Sequence, residues 1–287
     1  MKNFNKAKSE YESIFAPESF KKRISAISRL EKVKKAVLKV AATAACLAAV
    51  FVAALNISPR FAYAMSDIPV IKEVVSVVTF GKYEHKENGY EAKIVTPKIE
   101  GLLDKELENK LNSEFKENAN SIIAAYESDV KELKKEFGEE TVHMAIESNY
   151  EVKTDNDKIL ALDVYIFTAA GSSNTKHSFY NIDKTSGKLL SLSDMFKKGA
   201  DYITPISEYI TSEMRRMNKE EDGLFWIGDE QEFFEGFKKI KPDQNFYINN
   251  DGQIVICFDK YEVSAGAQGC PEFVIPNDII KNILSEK

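Results

Sequence analysis

Few residues in this sequence have types and spacings that suit catalysis. Ser172, Ser173 and His177 lie close together in a segment rich in Gly, Ser and Asn, as a nucleophile and its base would. No G-x-S-x-G sequence surrounds them, and a spacing of four or five residues along a loop does not establish a contact between nucleophile and base. We therefore interpret this segment as a flexible connection between strands.

Acidic pairs and histidines give no clearer indication of an enzyme. Glu139-Glu140 and Glu220-Glu221-Asp222 lie in charged, turn-like surroundings, whereas a glycosidase needs two carboxylates that face each other across a cleft. The three histidines are scattered, and the sequence holds no CxxC, HExxH, phosphate-binding or dinucleotide-binding motif. The sequence therefore predicts a protein that is not an enzyme, with no catalytic residue, no metal site and no cofactor.

Three cysteines limit the covalent chemistry of the chain. Cys46 lies inside a long apolar run, where it suits packing, and Thr43 replaces the aliphatic residue of a lipoprotein signal. Cys257 and Cys270 are close in sequence and could pair in an oxidising compartment. Because one disulfide does not make a disulfide scaffold, the C-terminal part must be held together by its own hydrophobic core.

Two segments of small residues suit recognition better than catalysis. Ala169 to Lys176 reads AAGSSNTK and Val263 to Gly269 reads VSAGAQG, and each lies between segments typical of strands. Since small side chains let another surface approach the backbone closely, both are candidates for a binding surface. The alternative is that both are only hairpin connections.

The elements that position these loops follow a long apolar run, Ala36 to Ile57. Its last 18 residues contain no charge, Gly or Pro, which suits a membrane-spanning helix. Eight Lys/Arg and one acid lie between Lys21 and Lys39, and this bias places the N-terminus in the cytoplasm. We expect residues 36–57 to cross the cell membrane once, with the C-terminal part outside. The alternative is a buried, Ala-rich core helix.

A signal peptidase motif follows this run. Ala62 and Ala64 flank Tyr63 before Met65, and small residues at these two positions are what signal peptidase requires. A cleaved secretory signal is the simplest interpretation, but the region before the apolar run is too long for one. The run itself also exceeds the usual length of about 7–15 residues. We therefore predict a membrane anchor with a latent cleavage site.

Charge divides the chain into a basic and an acidic part. Residues 1–57 carry 11 Lys/Arg and four Asp/Glu, whereas the remainder carries 28 and 41. The acidic part disfavours a nucleic acid as ligand and favours a cationic one.

The first 35 residues are too few to bury a core of their own. Apolar side chains nevertheless recur at roughly helical spacing, with an interruption at Pro17. A tether to the membrane does not need so many spaced apolar residues, so we expect them to insert into the groove of a protein partner. The side chains expected at that contact are Tyr11, Ile14, Phe15, Phe20, Ile24 and Ile27.

The remaining pattern predicts an α+β fold with an antiparallel sheet and packed helices. Ser66 to Phe80 carries an apolar stripe at helical spacing, and Asp104 to Phe137 reads as a long helix that ends at Gly138. Asn88-Gly89 predicts a hairpin turn within residues 83–96. Further predicted strands cover 142–152, 159–168, 177–183, 246–249, 253–259 and 270–275, and further helices cover 202–217, 232–237 and 277–284.

Several ordered motifs resemble the C-terminal domain of RsiV-type anti-sigma factors, a domain that also occurs beside the catalytic region of some peptidoglycan deacetylases. The resemblance covers roughly residues 90–285. The motifs are NID at 181–183, TSG at 185–187, LSDMF at 192–196, YEV at 261–263, Gly269 and EFVIP at 272–276.

The resemblance implies a domain organisation and a mechanism. Residues 1–35 would sequester an ECF-type sigma factor, 36–57 would span the membrane and 58–82 would be a cleavable juxtamembrane segment. An outer region in two parts, 83–190 and 191–287, would bind lysozyme, a basic protein. Binding would admit signal peptidase, and an intramembrane protease would complete the release. The alternative is a membrane-anchored module that binds the cell envelope or peptidoglycan without a sigma partner, and an anchored hydrolase is a third class.

In that family the lysozyme contact uses the loop after the Tyr-Glu-aliphatic strand and an earlier loop that contains Ser. Relatives often carry a Pro beside an aromatic residue in the first loop, where this sequence reads SAGAQ at 264–268. Because rigid anchors strengthen a protein contact, we expect this chain to bind lysozyme weakly or to sense another ligand. The contact residues that the resemblance implies are Gly171, Ser172, Ser173, Asn174, Tyr261, Ser264, Ala265, Gly266 and Ala267.

Overall fold

The structure, a computed structural model, describes residues 75–138, 142–228 and 235–285, which belong to one compact unit. The predicted sigma-binding residues, the apolar run and the cleavage motif lie outside the described residues, as do residues 232–234 of the helix predicted at 232–237. That prediction is wrong for residues 235–237, which are not helical, because Phe237 forms a bridge with Ile227 instead. Across the three described ranges, no helix is long and apolar enough to cross a membrane.

The larger sheet has six strands in the order in which they occur in the sequence. They are β1 (Ser76–Glu87), β2 (Tyr90–Glu100), β3 (Met144–Asp155), β4 (Ile159–Ala170), β5 (Ser172–Asp183) and β6 (Lys188–Leu190). Every neighbouring pair is antiparallel except β2 and β3, which are parallel. The predicted α+β class is confirmed. The antiparallel prediction is wrong for this one pair, because a long helix returns the chain to the end of the sheet where β2 began.

That helix, α1 (Lys105–Phe137), agrees with the prediction at both ends. The Asp104 side chain accepts hydrogen bonds from the backbone N–H groups of Glu106 and Leu107, which is the usual role of an N-cap. Gly138, at a φ of 63°, ends the helix. The buried side chains recur every three or four residues, which places one face of α1 on the sheet: Leu111, Phe115, Ala119, Ile122, Tyr126, Val130 and Leu133.

The helix predicted over 66–80 is wrong for residues 76–80, which form the start of β1. Val77 lies opposite Ile99 in the ladder, and the preceding Val75 is buried in the core beside it. The β-branched side chains of this segment suit an extended backbone, and pairing with β2 outweighs their approximate helical spacing.

The smaller sheet contains β7 (Phe246–Ile248), β8 (Ile254–Cys257) and β9 (Glu272–Val274), all antiparallel. Two helices pack on the same core, α2 (Ile203–Glu220) and the short α3 (Asn277–Ile280). The predicted helix at 277–284 is therefore only half as long as expected. Short 3₁₀ turns occur at Leu192–Met195 and Gly266–Gln268.

One buried side chain joins the two sheets. Asn181, which is 1% exposed, donates from Nδ2 to the Phe246 carbonyl at 2.9 Å and accepts from the Ile248 N–H at 3.0 Å. Along the same edge of β5, Asn245 Nδ2 donates to the His177 carbonyl at 2.9 Å. The His177 carbonyl is free for this contact because β6 pairs with only Asn181, Ile182 and Asp183 of β5.

We expect Asn181→Ala to lower the free energy of unfolding by about 2–3 kcal/mol, because it leaves two buried backbone groups without partners. Denaturant unfolding of the variant, followed by circular dichroism, measures this. Asn282→Ala is the matched control, since residue 282 is exposed and should change stability by less than about 0.5 kcal/mol. Equal unfolding midpoints for the two variants would show that Asn181 does not join the sheets.

Candidate functional site

The structure brings together two segments that are almost ninety residues apart in sequence. Ser172, at the start of β5, has its hydroxyl 3.1 Å from the Tyr261 hydroxyl. Lys260 Nζ donates to Ser173 Oγ at 2.6 Å, and the Lys260 N–H donates to the Thr175 carbonyl at 3.2 Å. The tip of the β4–β5 hairpin and the 259–269 loop therefore form one continuous surface, which we call the tip surface.

The hairpin tip differs from the flexible loop predicted at 169–176. Apart from the bend at Gly171, where φ is 75°, these residues belong to β4 and β5 and pair with each other. Gly171 and Ser172 are exposed, while Ser173 and Asn174 are half-buried. The prediction of a loop is wrong because the ladder between β4 and β5 continues to the last pair before the turn, Ala170 and Ser172.

Tyr261 is the most unusual residue of the tip surface. Its φ of 68° lies in the left-handed region, where a bulky side chain costs about 1–3 kcal/mol. The side chain is nevertheless 43% exposed, and Lys260 Nζ lies 5.3 Å from the centre of its ring. The surrounding hydrogen bonds thus hold an exposed aromatic ring in a conformation that an isolated chain would avoid.

Gly266 supports this ring. A Cβ atom at position 266 would lie 2.5 Å from the Tyr261 hydroxyl oxygen and closer still to two ring carbons. Only glycine leaves room for the ring to rest against the backbone, so residue 266 determines where Tyr261 stands.

The other predicted contact residues of this loop differ in how far they are exposed to solvent. Ala267 is exposed and Ala265 is half-buried, whereas Ser264 is 0% exposed and forms a bridge with Phe225. The side chain of Ser264 therefore lies beneath the tip surface, because its backbone is part of the core beside Val263.

Two further residues, which the sequence analysis did not identify, also belong to the tip surface. Leu224 is 48% exposed, and its backbone bonds to both Ala265 and the side chain of Gln268. Lys260 positions both Ser173 and the Tyr261 ring. Adjacency to Tyr261 is the one signal that could have identified Lys260. Leu224 is about forty residues from the loop, and only the fold shows its proximity.

Two depressions border the tip surface. One, of about 560 Å³, lies beside the hairpin tip and is lined by Gly89, Glu91, His143, Met144, Ala145, Ala169 and residues 171–173. The other, of about 550 Å³, has an apolar wall from α1 that includes Phe115 and Ile122. Its opposite wall is charged and includes Lys241 and Glu262. Tyr261 lines the second depression and its hydroxyl contacts Ser172, which lines the first, so the exposed ring lies where the two concave regions meet.

The structure does not bring the serines of this segment together with His177 as a catalytic pair. The Ser172 hydroxyl bonds to Tyr261 and that of Ser173 to Lys260, whereas the His177 ring bonds to Asp163. Among the residues that the structure describes, no group of three His, Cys, Asp or Glu side chains could hold a metal ion. Cys257 and Cys270 are both free thiols, so the disulfide that their spacing allowed is not formed.

His177 and Asp163 form a buried pair behind the tip surface. His177 Nδ1 lies 2.8 and 3.1 Å from the two carboxylate oxygens of Asp163, which is 2% exposed. Burial disfavours the imidazolium, but the hydrogen bonds with Asp163 and Cys270 outweigh it and raise the pKa of His177 to about 10. Burial raises the pKa of Asp163, and His177 opposes that change. His177 is therefore a cation at neutral pH.

Comparison with other proteins places this fold among known families. Residues 193–278 match a family of proteins of unknown function, DUF3298, and residues 83–174 match the family of the deacetylase PdaC. A crystal structure of a DUF3298 member from Bacteroides fragilis covers 75% of this chain and 95% of its own, with a TM-score of 0.56. At 16% identity, that likeness shows a shared fold alone.

Two relatives from Bacillus subtilis (strain 168) are similar in sequence. The peptidoglycan-N-acetylmuramic acid deacetylase PdaC is 22% identical over 178 residues, which cover 62% of this chain but only 37% of that enzyme. The anti-sigma-V factor RsiV is 34% identical over 285 residues, which cover 99% of this chain and 97% of the relative. Similarity over nearly the full length of both chains confirms the resemblance in the motifs: the chain belongs to the family of RsiV-type anti-sigma factors.

Proposed function

We propose that this protein is a single-pass membrane anti-sigma factor that holds an ECF-type sigma factor at residues 1–35. Binding of lysozyme or a related envelope signal at the tip surface would release the sigma factor through regulated proteolysis. The observation that carries the proposal is the tip surface itself, in which a hydrogen bond to Ser172 holds an exposed tyrosine, in a chain of the RsiV family. We keep the proposed division of the outer region into two parts, residues 83–190 and residues 191–287.

The chemistry of the tip surface suits a protein ligand. Tyrosine is enriched among the residues that dominate protein contacts, and its two side-chain torsions cost little entropy when they are fixed. Tyr261 is already fixed by Gly266 and Ser172, so binding needs little further ordering. The negative charge of the outer part attracts a basic protein such as lysozyme and increases its rate of encounter.

The position of the cleavage motif supports control by proteolysis. Met65 is ten residues before Val75, which is buried in the core. Ten residues reach at most about 35 Å, so signal peptidase must act close to folded structure. A ligand that prefers the cleavable arrangement would shift the population towards it, and irreversible cutting would complete the response. The intramembrane protease would then act within 36–57.

Titration of the 287-residue chain in detergent with lysozyme, by calorimetry at low and physiological salt, tests the ligand. We expect binding of defined stoichiometry at physiological salt, but weaker than in relatives whose loop carries the rigid anchors that SAGAQ at 264–268 lacks. Binding only at low salt would mean that the acidic surface attracts a basic protein nonspecifically. The ligand would then be another envelope component, as in the alternative of an envelope-binding module.

Ser172→Ala should weaken lysozyme binding about 3- to 10-fold, because one hydrogen bond that holds Tyr261 is worth about 0.5–1.5 kcal/mol. The same calorimetric titration measures the change. Ser193→Ala is the matched control, since residue 193 lies in the distant 192–195 turn and should leave affinity unchanged. Equal affinities for both variants would argue against a role for the Ser172–Tyr261 contact.

Co-purification with the sigma factors of the host tests the cytoplasmic segment. We expect Phe15→Ala combined with Phe20→Ala to abolish capture, because both are predicted anchors in the groove of the partner. Phe4→Ala is the matched control, since Phe4 is an aromatic residue of the same segment outside the predicted contact. If the parent chain captures no sigma factor, the envelope-binding module becomes the better interpretation.

A further inference from the structure

The depression between helix α1 and the six-stranded sheet contains polar groups that the fold does not use. It measures about 550 Å³, and we call it the helix–sheet cleft. Thr96 on β2, Ser148 on β3, Ser178 on β5 and Asn118 on α1 all line it. Ser148 is 5% exposed and Thr96 is 8% exposed, so both side chains are buried in the fold.

These four polar side chains have no use in holding the fold together. Among the residues that the structure describes, none of the four has a hydrogen-bond partner, and the Nδ2 atom of Asn118 is itself buried. A buried donor or acceptor without a partner destabilises a folded protein, and native proteins contain few of them. Four such side chains around one cavity therefore indicate a site that a ligand completes.

The register of the sheet places polar and apolar groups side by side along the floor of the cleft. Ser148 pairs with Ile166 across β3 and β4, and Ile166 pairs with Lys176 across β4 and β5. Val164 pairs in the same way with Ser178. Since directly paired residues lie on the same face of a sheet, hydroxyl groups, aliphatic groups and the Lys176 side chain share one surface.

Lys176 provides a positive charge that a ligand can use. Three lysines line the cleft, and two of them have partners. Lys241 Nζ pairs with Glu262 at 2.7 Å, and Lys260 Nζ donates to Ser173 Oγ at 2.6 Å. Lys176 is half-buried, and its side chain forms no ion pair or hydrogen bond with any residue in the described part of the chain.

The nearby acids already have donors of their own. Asp259 accepts from the His177 N–H at 2.8 Å, and Glu262 accepts from the Asp259 N–H at 2.9 Å. Burial raises the pKa of Asp259, and Lys176 opposes that change, but these two side chains do not form an ion pair. An anionic group of a ligand would therefore meet Lys176 without breaking an existing pair.

We propose that the helix–sheet cleft binds a short acidic saccharide that carries one carboxylate. A sugar ring has hydroxyl groups along its edge and C–H groups on its faces. The edge would meet the groups without partners on Thr96, Ser148 and Asn118, and a face would pack against Phe115 and Ile122 of α1. The volume of the cleft lies within the range of about 300–1,000 Å³ that is usual for small-molecule sites.

Other classes of small molecule fit the cleft less well. An acyl chain would cover the apolar wall but leave the Asn118 amide and the three hydroxyl groups without partners, which weakens binding. A nucleotide carries several negative charges, whereas two of the three lysines in the cleft are already engaged. The inference depends neither on the lysozyme contact nor on the sigma factor.

Calorimetric titration of the 287-residue chain, in a detergent without a sugar headgroup, tests the proposal. One probe is the disaccharide of N-acetylglucosamine and N-acetylmuramic acid, which comes from envelope glycans, and the other pairs N-acetylglucosamine with glucuronic acid. We expect at least one to bind with a Kd below about 1 mM. Neutral diacetylchitobiose lacks the carboxylate and should bind at least about tenfold more weakly than that disaccharide.

Asn118→Ala distinguishes a ligand contact from a contribution to folding. Affinity for the acidic disaccharide should fall about 3- to 10-fold, because one hydrogen bond to the ligand is lost. The urea midpoint of unfolding should stay the same or rise, because the amide has no partner and alanine favours a helix. Asn120→Ala is the matched control, since Asn120 is exposed on the same helix and should leave affinity unchanged. A lower midpoint with unchanged affinity in Asn118→Ala would contradict the proposal.

Lys176→Met keeps an aliphatic side chain and removes the charge. Affinity for the acidic disaccharide should fall to the level of the neutral one, while affinity for the neutral disaccharide stays the same. Lys116→Met removes a charge from the exposed face of α1 and should change neither affinity. The proposal is wrong if neither acidic disaccharide binds the parent chain, or if Lys176→Met keeps the preference for the acid. Binding of decanoate but of neither disaccharide would assign the cleft to an acyl chain instead.

Discussion

Gly266→Ala should lower the affinity for lysozyme at least about 30-fold while the protein remains folded. The new Cβ atom would lie 2.5 Å or less from the end of the Tyr261 side chain, so the ring must leave its place and lose the contact with Ser172. Because the atoms that clash are the far end of a side chain, stability should fall by less than about 1 kcal/mol. Loss of a central aromatic anchor costs about 2 kcal/mol or more of binding energy.

Calorimetric titration of the variant beside the parent chain tests this expectation. Gly81→Ala is the matched control, because a Cβ atom there would meet Thr96 at an ordinary distance of 3.8 Å. That variant should bind as the parent does. If Gly266→Ala also keeps the parent affinity, Tyr261 is not the anchor and the ligand binds elsewhere.

Asp163→Asn should lower the free energy of unfolding by about 3–5 kcal/mol at pH 7, because it leaves the buried His177 without its counter-charge. The asparagine has the same shape, so the loss reports charge rather than packing. Asp155→Asn is the matched control. Asp155 pairs with Lys184 at the surface, where such a pair contributes at most about 1 kcal/mol.

The same variant should change how stability depends on pH. The pKa of His177 is about 10 in the folded protein and near 6.5 when unfolded, so the folded state binds the extra proton between these values. The stabilisation is complete below pH 6.5 and is lost as pH rises towards 10, at up to about 1.4 kcal/mol per pH unit. Denaturant unfolding at intervals from pH 6 to 10 should show this decline in the parent and a nearly flat profile in Asp163→Asn. A parallel decline in both would mean that other groups cause it.

The sequence alone predicted the elements that depend on residues close together in the chain. Helix α1 follows from its apolar spacing, the Asp104 cap and the glycine at its end. The turn at Asn88-Gly89 follows from the two residues that accept a positive φ. The family itself was recognisable from ordered motifs, since these occur at fixed places along the chain.

Pairing between distant strands determined the secondary structure of the segments that the sequence analysis predicted wrongly. Residues 76–80 have a spacing that fits a helix, but β2 provides a complete ladder for them. The residues around Gly171 have the composition of a loop, but β4 and β5 continue to pair up to the turn. In each case backbone hydrogen bonds to a distant strand outweigh a local preference of about 1 kcal/mol or less.

The sequence by itself determined the charge division, the apolar run at 36–57, the Ala-Tyr-Ala motif at 62–64, the amphipathic face of α1 and the family. Tertiary structure alone decided the geometry of the two sites. Tyr261 has a positive φ because its loop is held against β5, and His177 meets Asp163 because β5 pairs with β4. Contacts between residues almost ninety positions apart depend on how strands pair and pack. The spacing of residues along the chain does not predict such contacts.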